Sequence, residues 1–160
     1  MGYKADLLAL ALVMVASGMV AADPLPRGAQ TPNAYALQSA YVGKTALWVE
    51  DCNGGIYYGA GGQARAWCAD KSESLGAGTW HADNYGRLCT NLTWYWPDGN
   101  RAGSSPGSYE CIMHVEDRSG RLWRNWPPSQ EWWPLKGDPN FVSGYRFQHN
   151  VLQTKRRLGI

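Results

Sequence analysis

Phenylalanine is nearly missing from this chain of 160 residues: there are two, against nine tryptophans and nine tyrosines. Other absences exclude whole classes of function. No two cysteines stand at C-x₂-C spacing, and no histidine pair stands in an H-E-x-x-H arrangement, so the common zinc signatures are missing. No metal or cofactor is therefore expected. Beyond the first 22 residues no stretch approaches the ~20 apolar residues that a membrane-spanning helix needs. Acidic residues are missing from positions 140–160, which hold Arg146, Lys155, Arg156 and Arg157 and carry +4. Residues 23–139 carry −2, which argues against nucleic acid as a partner of the main domain.

What is present starts with a leader. Lys4 supplies a weakly basic start, an apolar run extends from Leu7 through Val20, and Val20-Ala21-Ala22 places small residues before Asp23-Pro24. This is the three-part pattern of a secretory signal peptide. The run to Ala22 spans 16 residues, short for a membrane anchor. Cleavage after Ala22 leaves 138 residues, enough for one domain with its own core. The expected organisation is a signal peptide at 1–22, a Pro-rich linker at 23–31, a single β domain at 32–140 and a basic C-terminal extension at 141–160. The tail Lys155-Arg156-Arg157 reads as a solvated, frayed end, with an anionic surface as the rival reading. The expected location is periplasmic or secreted, and a monomer is expected.

Export sets the reading of the cysteines. Cys52, Cys68, Cys89 and Cys111 all follow the leader, and an even count in an oxidising compartment suggests disulfides. Four cysteines allow three connectivities. Turn geometry favours Cys52–Cys68 and Cys89–Cys111. The first pair is equidistant from residue 60, inside Gly59-Ala60-Gly61-Gly62. The second is equidistant from residue 100, in a loop expected from Pro97 to Gly107. Residues equidistant from a hairpin turn face each other at a separation that a disulfide can bridge.

Thr31-Pro32, with Ala34, Leu37 and Tyr41 before Gly43, reads as one short helix, Thr31 capping it and Pro32 in its first position. The period then changes to two. Leu88, Thr90, Leu92, Trp94 and Trp96 alternate with Cys89, Asn91, Thr93 and Tyr95. Tyr109, Cys111, Met113 and Val115 alternate with Ile112 and His114. Strands are expected at 45–50, 54–59, 63–68, 78–83, 86–96, 108–116, 121–126 and 131–135. Short turns between consecutive strands make an all-β fold: a small antiparallel up-and-down barrel or sandwich of about eight strands with one short N-terminal helix.

The order Tyr41-Val42-Gly43-Lys44-Thr45, Gly54-Gly55-Ile56-Tyr57-Tyr58, Ala66-Trp67, Gly78-Thr79-Trp80 and Gly86-Arg87-Leu88-Cys89 resembles the domain-of-unknown-function 995 family of exported alphaproteobacterial proteins. The resemblance covers residues 35–140. It implies a bacterial envelope or secreted protein and supplies no activity, cofactor or catalytic residue.

Candidate chemistry is sparse. Gly103-Ser104-Ser105-Pro106-Gly107 matches the G-x-S-x-G pattern, but the nucleophile elbow needs a strand-turn-helix in an α/β sheet. His81 with Asp83, and His114 with Glu116, are same-face pairs that could exchange a proton. Each histidine reads first as an exposed strand residue. The tryptophans are more suggestive. Trp94, Trp96, Trp123, Trp126, Trp132 and Trp133 cluster in the second half. Their flat apolar faces and polar edges suit both a core and a partly wet binding surface on which sugar rings stack. The leading expectation is non-enzymatic binding of a glycan, lipid or small apolar ligand. The alternatives are a protein-protein interaction module, such as an inhibitor of an envelope enzyme, and a small hydrolase using Ser105 or a His-carboxylate pair.

Overall fold

The computed structural model describes residues 24–50, 52–69, 73–126, 129 and 131–160. The expected signal peptide and its cleavage site lie outside the described residues. The chain runs from helix α1 (Ala34–Tyr41) into strands β1 (Lys44–Trp48), β2 (Gly54–Tyr58), β3 (Gln63–Cys68), β4 (Ser74–Ala82), β5 (Arg87–Asp98), β6 (Arg101–Glu116), β7 (Leu122–Asn125), β8 (Trp133–Pro134) and β9 (Phe141–Ser143), and ends in helix α2 (Gln148–Leu158). All nine strands form one antiparallel sheet in the order β8-β7-β6-β5-β4-β3-β2-β1-β9. The sheet curls into a half-barrel. The expected meander is present, extended by β9, which folds back to pair with β1.

Parity builds the core. The buried residues Ala46, Ile56, Tyr58, Ala64, Ala66, Trp80, Leu88 and Leu92 are all even-numbered, and they form one cluster on the inner face with Tyr41 and Leu135. Side chains of a strand alternate between faces, so a single parity across successive strands needs the hairpins in step. Small residues let the sheet bend. Across β3 and β4, Ala64 faces Gly78 and Ala66 faces Gly76. The space is filled from elsewhere, by Tyr58 edge-on to Trp80 at 5.5 Å and edge-on to Tyr41 at 4.9 Å.

The helix start differs from expectation. Asn33, not Thr31, is the N-cap, and its side chain accepts from the Ala36 amide at 2.8 Å. Pro32 is fully buried rather than in the first helical turn. Pro32 and Thr31 instead come close to Gly86, so the dipeptide anchors the approach of α1 to the sheet.

The expected loop from Pro97 to Gly107 is strand. Gly99 and Asn100 alone turn the chain between Asp98 and Arg101, with Gly99 at φ +57°. Such a φ is costly for residues with a Cβ and free for glycine. From that turn the ladder alone would set Cys89 against Glu110. A bulge between Asn91 and Thr93 sets one residue of β5, Leu92, against two of β6, Gly107 and Ser108, and this extra residue brings Cys89 opposite Cys111. Those two cysteines are bonded, and so are Cys52 and Cys68. The first hairpin is centred on residue 61 rather than 60, since Tyr58 faces Ala64. Cys52 therefore stands outside the ladder and folds back, its carbonyl accepting from Ala69 N at 3.0 Å.

Residues 141–160, expected to be a basic C-terminal extension, supply β9 and α2. Helix α2 lies on the outer face, where Val151 packs with Trp67 and Leu75. Thr154 accepts from Trp67 Nε1 at 3.2 Å. Among the described residues no helix is long and apolar enough to cross a membrane.

Replacing Cys89 and Cys111 together by serine is expected to lower the unfolding free energy by about 3 kcal/mol, the usual worth of a disulfide closing a loop of this size. Urea denaturation of the oxidised full chain and of the variant measures it. An unchanged midpoint would show that the bulge aligns the cysteines without stabilising the hairpin.

Candidate functional site

Two features share the inside of the half-barrel: a buried polar chain near its α1 end and an aromatic-lined cavity beside it. Tyr41 is the last residue of α1. His114 on β6 and Arg124 on β7 are directly opposed across the two strands. Asp138 comes from the segment between β8 and β9.

Tyr41 Oη and His114 Nε2 are 2.7 Å apart, and His114 Nδ1 lies 3.3 Å from the Gly86 carbonyl. A carbonyl only accepts, so Nδ1 carries the proton and Tyr41 donates to Nε2. Gly86 also accepts the His114 amide at 2.7 Å, and its φ of +74° turns the carbonyl toward both groups. His114 is thus a core residue, not the exposed strand residue expected from sequence; it is 1 % exposed. Burial pushes its pKa down to about 4 and pushes that of Tyr41 up to about 12. Both rings are neutral at physiological pH. Tyr58, beside them, is raised further by burial and by Tyr41.

Arg124 ion-pairs with Asp138, both largely buried. Its guanidinium carbon lies 4.4 Å from the Trp126 ring centre and 5.5 Å from that of Phe141. Arg124 Nε and Nη1 are buried without a partner among the described residues. Cation–π contact with two rings offsets part of that cost.

Beside this chain lies a cavity of about 400 Å³. Its apolar wall is Ile56, Leu88 and Ile112; Trp48, Tyr58 and Trp126 add aromatic faces. Thr90 and Glu110 are its polar groups, and they face each other across β5 and β6. The volume and the balance of apolar wall to few polar groups suit a small ligand.

The tryptophans singled out from sequence separate here. Trp126 lines the cavity, and Trp94 packs on Trp48 at 6.2 Å between ring centres. Trp96 is on the same face as Trp94 but covers Gly103 near the hairpin tip. Trp123 is on the other face, buried, its Nε1 donating to Asp117 Oδ2 at 3.0 Å. Trp133 stands opposite Arg124 in the edge strand β8, and Trp132 is half-buried beside it. Trp48, Thr90 and Glu110 are cavity residues that sequence reasoning did not select. Trp48 and Thr90 were visible as members of the inner parity set, whereas Glu110 carries no local signal.

The candidate acid-base groups do not converge. Ser105 lies in β6, exposed, and its Oγ donates to the Pro106 carbonyl at 3.2 Å. His81 contacts Tyr109 Oη at 3.2 Å, while Asp83 binds Arg87. His114 is engaged with Tyr41 and Gly86, not with Glu116. Among the described residues no three His, Cys, Asp or Glu side chains could hold a metal ion together.

His114 makes stability depend on pH. Unfolded, it titrates near 6.5; folded, near 4. Between those values the unfolded chain binds a proton that the folded chain refuses. Its contribution is complete above about pH 6.5 and is lost as pH falls toward 4, by about 3 kcal/mol in all. Urea midpoints from pH 7 to 4 should fall accordingly, and the slope should flatten in a His114→Gln variant. An equally steep fall in that variant would assign the effect to other groups.

Comparisons with known proteins come to one family. No curated protein and no solved structure matches the chain. The model of a family described as protein of unknown function (DUF995) matches residues 9–149, most of the chain, and the protein therefore belongs to that family.

Proposed function

We propose that this is an exported, non-enzymatic binding protein of the bacterial envelope, and that its half-barrel takes a small hydroxylated ring, such as one sugar unit of a glycan. The observation that carries this reading is the cavity between Trp48, Tyr58 and Trp126, with Thr90 and Glu110 paired at its side. A sugar ring has an apolar face for an indole and hydroxyls for a carboxylate and a threonine. Such a site needs both kinds of wall. A wholly apolar ligand would make no use of the Thr90 hydroxyl and the Glu110 carboxylate.

Export is supported by two observations of different kinds. The N-terminal sequence has signal-peptide order, and two disulfides are formed. Disulfides persist mainly in oxidising compartments. Expression of the full gene in a bacterial host should yield a protein that begins at Asp23, as read by N-terminal sequencing. Recovery of an intact Met1 terminus in the membrane fraction would replace the secreted reading by an anchored one.

A second reading, docking of a partner protein, has one observation in its favour. Among the described residues strand β7 pairs with β6 only at Met113–Glu116, and none of them pairs with the outer edge of the remainder of β6. Pro106 removes one donor from that strand, and the bulge bends it, which are the features that keep edges from pairing.

Binding is measured by thermal shift with a panel of envelope glycans and their monosaccharides. A ligand at 100 times its Kd adds about 2.7 kcal/mol of stability. Trp126→Ala and Glu110→Gln alter exposed residues and should leave the unliganded protein folded. Each should weaken binding at least tenfold. Binding that survives both substitutions would move the site out of the half-barrel.

A further inference from the structure

The curled sheet leaves a seam where its two end strands do not meet, and a second concavity lies there. It measures about 870 Å³, roughly twice the interior cavity. Its apolar floor is Leu122, Leu135 and Phe141, with Ala40 of α1 at one side. Lys44, Arg121 and Lys136 line it, and among the described residues no carboxylate does. None of the three cations is in an ion pair among the described residues. Lys44 donates to Ser143 Oγ at 2.7 Å, a neutral acceptor that leaves its charge in place.

The carboxylates nearest in sequence are committed elsewhere. Asp117 accepts from the Ser119 amide and hydroxyl, the Arg121 amide and the Trp123 indole. Asp138 is held by Arg124. Glu116, the cross-strand partner of Leu122, has its carboxylate beside Gly120 and lines a separate surface hollow with Asp117 and Arg118. Behind the floor, 5.5 Å from the Phe141 ring centre, the Arg124 guanidinium is neutralised by Asp138, while its Nε and Nη1 have no partner among the described residues. A concave site with one sign of charge and apolar walls concentrates its field and draws counter-ions.

We infer that the seam cleft binds an anionic amphiphile, a carboxylate or phosphate head held by Lys44, Arg121 and Lys136 with its hydrocarbon part on Leu122, Leu135 and Phe141. A bare anion would leave that floor wet. A neutral apolar ligand would make no use of the three cations. Gly137, whose missing side chain would meet nothing within 4 Å, keeps the rim open. The site is separate from the interior cavity. Tyr41 stands between them, edge-on to Tyr58 of the cavity and 4.8 Å from Phe141 of the cleft.

Isothermal titration of the full chain with dodecanoate, dodecyl phosphate, inorganic phosphate and neutral octyl glucoside tests this inference. One saturable site is expected for at least one of the two dodecyl anions, and the tighter of them names the head group. Neither inorganic phosphate nor octyl glucoside should match it within tenfold. Arg121→Glu with Lys136→Glu should weaken the anion at least tenfold with an unchanged melting temperature, because both side chains are exposed. Trp126→Ala should leave the affinity unaltered, which separates this site from the glycan reading. The inference is overturned if no dodecyl anion binds, if octyl glucoside or phosphate alone binds as tightly, or if charge reversal changes nothing.

Discussion

The half-barrel depends on how its seam is held. The sheet ends in β8 and β9, which do not pair with each other, so backbone hydrogen bonds cannot close it. Side chains do the closing. Arg124 leaves β7, ion-pairs with Asp138 and lies against Phe141 of β9 at the opposite end of the sheet. An ion pair this buried gives little net stability compared with apolar packing, yet removing one partner strands a charge and costs about 3–5 kcal/mol. Its value is geometric. It holds two sheet ends at a fixed separation, while Tyr41 of α1 fills the space between them and ties to His114. The interior cavity and the seam cleft both take their shape from that arrangement.

Much of this fold could be read from the residues because the signal was local. Alternation in Leu88–Trp96 and Tyr109–Val115 marks two strands, and the parity of Ala46, Tyr58, Ala64 and Leu88 is the parity of the core. Cysteine spacing pointed to the Cys89–Cys111 pair, though the turn is tighter than its composition suggested and the pairing depends on a bulge. What could not be read depends on register and on contacts distant in sequence. The bulge that aligns those cysteines leaves no mark beyond a glycine among many. His114 looked solvent-exposed because nothing near it in sequence announces that Tyr41, 73 residues earlier, will cover it. Residues 141–160 looked like a charged tail because the basic residues dominate the composition. Val151 and Thr154, three apart on one helix face, are the two that the sheet buries.

The shortage of phenylalanine gives a way to tell structural rings from ring faces left for a ligand. A buried indole or phenol needs a partner for its polar edge, because an unsatisfied buried donor costs about 1–3 kcal/mol. Trp67 donates to Thr154, Trp80 to the Gly59 carbonyl, Trp123 to Asp117 and Tyr41 to His114. Each of these bonds ties one element to another, so polar-edged rings do work that phenylalanine could not. The rings around the cavity behave differently. Among the described residues no partner accepts from the indole of Trp48, Trp94 or Trp126, and all three keep some exposure. Rings of the first kind lock the scaffold, and substitution there would report on folding. Rings of the second kind contribute no hydrogen bond to the fold and keep a polar edge free. That difference, rather than their number, is why Trp48 and Trp126 are assigned to the ligand while Trp123, equally prominent in the sequence, is assigned to the scaffold.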